Sequence, residues 1–285
     1  SRGLGDVYKR QIQSIPFFNP NGIEGMEPTL SFNTIISFMT NTNLQHYSGE
    51  SGLSYLSQML VIIFMMFVSA ATGYAACVAF IRGLAGKTKD NVGNFFVDLV
   101  RITTRILIPF SIVGGLLLVW QGVPQNFDSN VVVKTLEGTF QTIAMGPIAA
   151  LEIIKHLGTN GGGFFGVNSA HPYENPSAFT NIIEMTSLLL IPAACCFTFG
   201  IGVKNTKQGK AIFAAMFILL VIFTGIIAVN EHAGTPQLAD GGAVNIEMTD
   251  GQAGGNMEGK ESRFGIAASS TWSAYTTAAS NGSVN

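Results

Sequence analysis

The chain has 285 residues, of which 47% are hydrophobic and only 11% charged, with a net charge of −2. Soluble domains carry charge on about a quarter of their residues, so this composition excludes that class, and the near-neutral balance gives no sign of a nucleic-acid partner. Cys77, Cys195 and Cys196 all lie in apolar runs; an odd count without ligand spacing argues against a disulfide framework and a zinc site.

In chain order, residues 1–11 carry charges but no apolar stretch of the signal-peptide kind, and read as a non-native tail. The whole reads as a fragment at both ends. Residues 12–54 form an outer segment with a short helix from near Phe32, ending at Thr40-Asn41-Thr42-Asn43-Leu44-Gln45. Residues 55–134 hold two predicted spans, 56–81 and 102–120, joined by a loop with Arg82, Lys87, Lys89, Arg101 and Arg105. Residues 135–180 hold a second short helix at 136–156, too polar to cross a bilayer comfortably. It is followed by Gly158-Thr159-Asn160-Gly161-Gly162-Gly163. Residues 181–232 hold two more spans, 182–203 and 211–229, joined through Lys204, Lys207 and Lys210. Residues 233–262 are Gly-rich and acidic, an outer loop with a predicted hairpin at Asp240-Gly241-Gly242. Residues 263–285 hold a third short helix from near Phe264, ending at Ala279-Ser280-Asn281-Gly282-Ser283. Positive loops face the cytoplasm, which places all three Asn/Gly turns on the outer side.

The three turns recur at intervals near 118 and 121 residues, so a large unit is repeated. A glycine-rich turn at the end of a half-length helix, set between spanning helices, brings carbonyls and small polar groups to a dehydrated ion. The ion-coordinating candidates are Asn41, Thr42, Asn43, Gln45, Thr159, Asn160, Gly161, Gly162, Gly163, Ser280, Asn281, Gly282 and Ser283. All are neutral, which suits a weakly hydrated monovalent cation and points to potassium ahead of sodium, magnesium or calcium. Gly161-Gly162-Gly163-Phe164-Phe165-Gly166 also fits a dinucleotide fingerprint, with Glu184 about 20 residues on. No strand precedes it and no helix opens after it, so that reading fails. His171 and Glu174 are expected to hydrogen-bond the loop behind the turn rather than do chemistry. Glu152 and Lys155 are expected to pair on one helix face. Glu184 is expected to snorkel to the outer interface. There is no Walker A sequence and no phosphorylation motif, so ATP hydrolysis is not expected of this chain.

The stretches 37–50, 158–176 and 276–285 resemble the potassium-binding subunit family of the bacterial Kdp potassium-importing ATPase, and the resemblance covers nearly everything after residue 11. It implies an all-α integral membrane protein with tandem helix–pore loop–helix repeats, potassium-channel-like, in the superfamily of potassium transporters. It further implies a potassium-selecting subunit in the bacterial inner membrane. Potassium is the transported ion, and ATP is used only through a partner P-type subunit, accompanied by small accessory membrane subunits. Leu44 stands where the family usually has Trp, and Gly166-Val167 where it has Asn-Ala. The fourth pore loop and the helix before the first are expected to be missing, so this stretch is not expected to close a full filter. The rival reading is a passive channel or an ion-coupled symporter subunit.

Overall fold

The computed structural model describes residues 13, 18–86, 91–237 and 245–285. The predicted tail, Lys87, Lys89 and the hairpin expected at Asp240-Gly241-Gly242 lie outside the described residues. The chain is mostly helical: α1 (Pro28–Met39), α2 (Tyr55–Ala85), α3 (Phe95–Trp120), α4 (Ile148–Leu157), α5 (Ala178–Gly202), α6 (Thr206–Ala233) and α7 (Gly265–Ala278). Four of these, α2, α3, α5 and α6, are long and apolar enough to cross a membrane.

Each span starts before its predicted limit, and in α3 and α5 a side-chain cap, rather than apolarity, sets the start. The Asn94 side chain accepts from Val97 N to start α3. Ser177 and Thr180 bond each other's backbone N–H reciprocally to start α5. Within α2 and α3 lie widened π-helical turns, Gln58–Ile63 and Thr103–Leu107, the kind of irregularity that composition does not announce. Near the predicted basic loop, Arg82 pairs with Asp98 and ties the end of α2 to the start of α3.

The short helix α4 is the centre of the packing. Every residue of it except Ala150 is buried, against α2, α3 and α5. Phe38, Ile62, Met66, Leu107, Leu118 and Phe164 complete the same core. At the other extreme, the most apolar stretch of α6 has no fully buried residue, so this helix leaves most of its apolar surface facing outward, as a lipid-facing span does. It still packs against α5 and α7. A Cβ at Gly209 would come within 2.6 Å of Cys196 O, so the α5–α6 approach needs glycine there.

The second short helix is not the continuous one expected over 136–156. Val131–Lys134 (β1) and Phe140–Ile143 (β2) form an antiparallel hairpin, with Val131 opposite Ile143 and Lys134 opposite Phe140. Helix begins only at Ile148. Three consecutive valines and the Phe-Gln-Thr-Ile run favour strand, and Gly138, at φ +87°, makes the turn. The hairpin straddles the boundary expected at 134/135. It is the one sheet among the described residues.

Candidate ion-coordinating site

Three helices end in the same way. The C-cap residues Thr40, Gly158 and Ala279 have φ/ψ of −90°/6°, −83°/−3° and −91°/−6°. The next residue is left-handed in each: Asn41 at φ 61°, Thr159 at 50° and Ser280 at 53°. The residue after that sends its N–H back to the last turn: Thr42 to Ser37 O at 2.9 Å, Asn160 to Lys155 O at 2.9 Å, Asn281 to Thr276 O at 3.0 Å. This six-to-one bond closes a helix C-terminus around a left-handed residue. It fixes the register of the copies, and Asn41, not Thr40, is the counterpart of Thr159 and Ser280. The third position is again at positive φ: Asn43 (56°), Gly161 (99°) and Gly282 (80°).

A φ that alternates in sign along three residues turns successive peptide planes the same way, so N–H groups gather on one side and carbonyls on the other. Among the described residues, the carbonyls of 41–43, 160–162 and 280–282 accept no hydrogen bond. Carbonyls left bare in a folded protein are ready ligands for a cation. The negative ends of three helix dipoles point into these loops and reinforce that preference.

The side chains of the loops face the scaffold. Gln45 accepts from Gly163 N at 2.8 Å and donates to Gly163 O at 3.0 Å, locking the first loop to the second. Asn281 Nδ2 donates to Lys155 O at 2.8 Å, locking the third loop to the last turn of α4. Asn160 Nδ2 donates to Asn41 Oδ1 and, at 3.2 Å, to Ser69 Oγ, which itself donates to Asn41 Oδ1 at 2.8 Å. Ser283 Oγ accepts from Trp272 Nε1 at 3.2 Å and so faces its own helix. A Cβ at Gly161 would collide with Asn281 O, so the second and third loops meet at a position where only hydrogen fits. Gly162 lies against Asn43 O and the Gln45 amide. Thr42 is exposed, its hydroxyl 2.9 Å from that of Thr40. The second loop thus touches both of the others. Sequence reasoning missed Ser69 and Tyr74, whose hydroxyl donates to Leu157 O at 2.7 Å at the end of α4. The one available signal was a hydroxyl inside an otherwise charge-free span.

Behind the second loop, Glu174 accepts from Phe165 N (3.2 Å) and Ser169 N (3.0 Å). The His171 ring stacks on Phe165 at 3.6 Å and accepts from Tyr173 N. Burial pushes the His171 pKa below its usual value. Both residues buttress the loop, as expected. Glu152 and Lys155 do pair, 2.6 Å apart and fully buried. Glu184 does not snorkel. It is fully buried, with Oε2 3.8 Å from His156 Nε2, because its face of α5 packs against α4. The glycine run follows a helix C-terminus, whereas a dinucleotide phosphate needs an N-terminus, which removes that reading.

Comparison with known proteins agrees with this geometry. The family model described as "Potassium-transporting ATPase A subunit" matches residues 7–285. A potassium-transporting ATPase potassium-binding subunit from Geobacillus kaustophilus is 56% identical over 275 residues, covering 96% of this chain and 48% of the relative. Those of Rhodospirillum centenum and Delftia acidovorans are 52% and 50% identical, covering 96% and 94% of this chain and 47% of each relative. The chain spans about half the length of the curated relatives it matches. With the matched stretch running from residue 7 to the last residue, this chain belongs to the potassium-transporting ATPase A subunit family.

Proposed function

We propose that this chain carries the potassium-selecting loops of a subunit that binds potassium at the outer face of the bacterial inner membrane and passes it on for ATP-driven import. The observation that carries this reading is the thrice-repeated helix end with alternating φ and bare carbonyls, free of charged side chains. Neutral, multi-oxygen cages suit potassium because they replace its weakly held water without the intense field that smaller or divalent ions require. In this reading the backbone carbonyls of Asn41, Thr42, Asn43, Asn160, Gly161, Gly162, Ser280, Asn281 and Gly282 are the ligands, and Thr159, whose carbonyl accepts from Asn41 Nδ2 at 3.4 Å, joins the first two loops. Gln45, Gly163 and Ser283 hold the loops in register. The names of the relatives support an ATPase context, and ATP hydrolysis is assigned to a separate P-type subunit, with small accessory subunits beside it. Segments 55–134 and 181–232 serve as spanning frames around the loops, and 233–262 as an outer acidic loop.

The test uses the full-length subunit, alone and assembled with its ATPase partner. Alone, it should bind potassium and show no potassium-stimulated ATP hydrolysis. Hydrolysis should appear on assembly and follow potassium occupancy. Sustained uphill transport by the subunit without a partner would instead establish the symporter reading.

A further inference from the structure

Glu152, Lys155, His156, Glu174 and Glu184 are enclosed together behind the second loop, each without exposed surface. Lys155 is the one buried Lys or Arg among the described residues, and its Nζ lies 2.6 and 2.7 Å from the two oxygens of Glu152. Glu174 is compensated by two backbone N–H groups. Glu184 is not: both of its oxygens are buried and no described residue donates a hydrogen bond to them. With a neutral imidazole, all three carboxylates could ionise only if positive charge beyond the one ammonium entered the cavity, because two negative charges would otherwise be in excess. Buried charge without a partner is strongly unfavourable, so something positive belongs here.

His156 points to what that is. Its Nδ1 lies 2.9 Å from the backbone carbonyl of Glu152, which can only accept, so Nδ1 carries the proton and Nε2 offers its lone pair. The nearby Ser169 hydroxyl has its proton committed to Glu152 and takes a bond from Lys155. Nε2 therefore faces Glu184 with no donor to meet it. A histidine fixed through its other nitrogen is how metal-binding imidazoles are oriented.

We propose that Glu152, His156 and Glu184 form a buried site for a divalent transition-metal ion, joining α4 to α5 behind the filter loops. One donor atom from each lies within 4.8 Å of the others. Two carboxylates and one imidazole suit Zn²⁺ or Mn²⁺ and are wrong for soft Cu⁺. Zn²⁺ bond lengths of about 2.0–2.2 Å place tetrahedral donors roughly 3.3 Å apart, so the side chains must draw in by roughly 1 Å. Glu152 keeps lone pairs free of Lys155 for this purpose. A +2 ion also cancels the excess charge. Such an ion would stiffen the end of α4, whose Lys155 carbonyl takes both Asn160 N–H and the Asn281 amide.

The full-length complex, stripped of metal and held in nanodiscs, is titrated with Co²⁺, then Zn²⁺. One Co²⁺ per subunit is expected, with the strong visible absorption of a low-coordinate site, displaced by Zn²⁺. Glu184→Gln should weaken binding at least about 100-fold, while Glu231→Gln, whose carboxylate pairs with Lys260 near the outer loop, should not. Should Glu184→Gln fail to assemble, the wild-type stoichiometry and spectrum decide alone. Absent Co²⁺ absorption in the wild type overturns the proposal, as does equal affinity in an assembled Glu184→Gln complex. A carboxylic-acid C=O band in the metal-titrated wild-type complex, lost in Glu184→Gln, would identify a proton as the occupant instead and would overturn it too.

Discussion

Position 161 combines two constraints that no side chain satisfies: φ of +99° and a neighbouring backbone oxygen, Asn281 O, where a Cβ would go. Gly161→Asp in the full-length protein should therefore push the second and third loops apart and place a localised charge among neutral oxygens. Potassium affinity should fall by about tenfold or more, equivalent to ~1.4 kcal/mol, with poorer exclusion of sodium, rubidium and ammonium. Ion-stimulated ATPase profiles of the assembled complex measure both. Gly251→Asp is the matched control, since a side chain there meets open space at an ordinary φ. Unchanged selectivity at 161 would mean that the ligands lie elsewhere. A second residue-scale prediction concerns His171, whose neutral form accepts from Tyr173 N and whose folded pKa is lowered from 6.5 by burial. Its contribution to loop stability is fully present above the unfolded pKa and is lost as pH falls through the lower folded one. Hydrogen-exchange protection across 165–175, corrected for the intrinsic slowing of exchange at lower pH, should fall as pH drops below about 6.5. His171→Phe, which keeps the stack on Phe165, should flatten that dependence.

The unit that repeats is a helix end, and its parts are distributed over elements far apart in the chain. Ser69 on α2 joins Asn41 and Asn160, so Ser69→Ala should cost about 1 kcal/mol per lost bond. The effect should appear as reduced potassium selectivity with assembly retained, because the hydroxyl supports two loops and otherwise, among the described residues, bonds only Met66 O of its own helix. A normal selectivity profile with lowered assembly would assign Ser69 to packing alone. Much of this level was legible in the sequence. The spans showed as charge-free runs, and the three loops as Asn/Gly/Ser punctuation after half-length helices. The exact register was not, because Thr40-Asn41 and Thr159-Asn160 look like counterparts until the capping bonds place Asn41 opposite Thr159. The hairpin at 131–143 was signalled by its valines and by Gly138, and was masked by the expectation of one continuous half-helix. Glu184 could not be placed from its own helix: an apolar neighbourhood in sequence does not reveal that His156, on another element, faces it.

For the molecule as a whole, the decisive quantity is the sidedness of the loops. Lys204 lies in the short turn between α5 and α6 and Lys207 and Lys210 at the start of α6, while Glu247, Asp250, Glu258 and Glu261 follow α6. Membrane insertion retains positive loops in the cytoplasm, so α6 should run outward and deliver residues 245–262 to the exterior. The same direction brings the ends of α1, α4 and α7 to one side, since the first loop is bonded to the second and the third to the last turn of α4. One sign therefore governs every loop at once. Single cysteines at 204, 207, 245 and 252, in a background lacking Cys77, Cys195 and Cys196, test it with a membrane-impermeant thiol reagent on intact cells. Positions 245 and 252 should label from outside; 204 and 207 should label only after permeabilisation. External labelling at 204 would invert the topology and move the bare carbonyls to the cytoplasmic face, where they could not select ions for import.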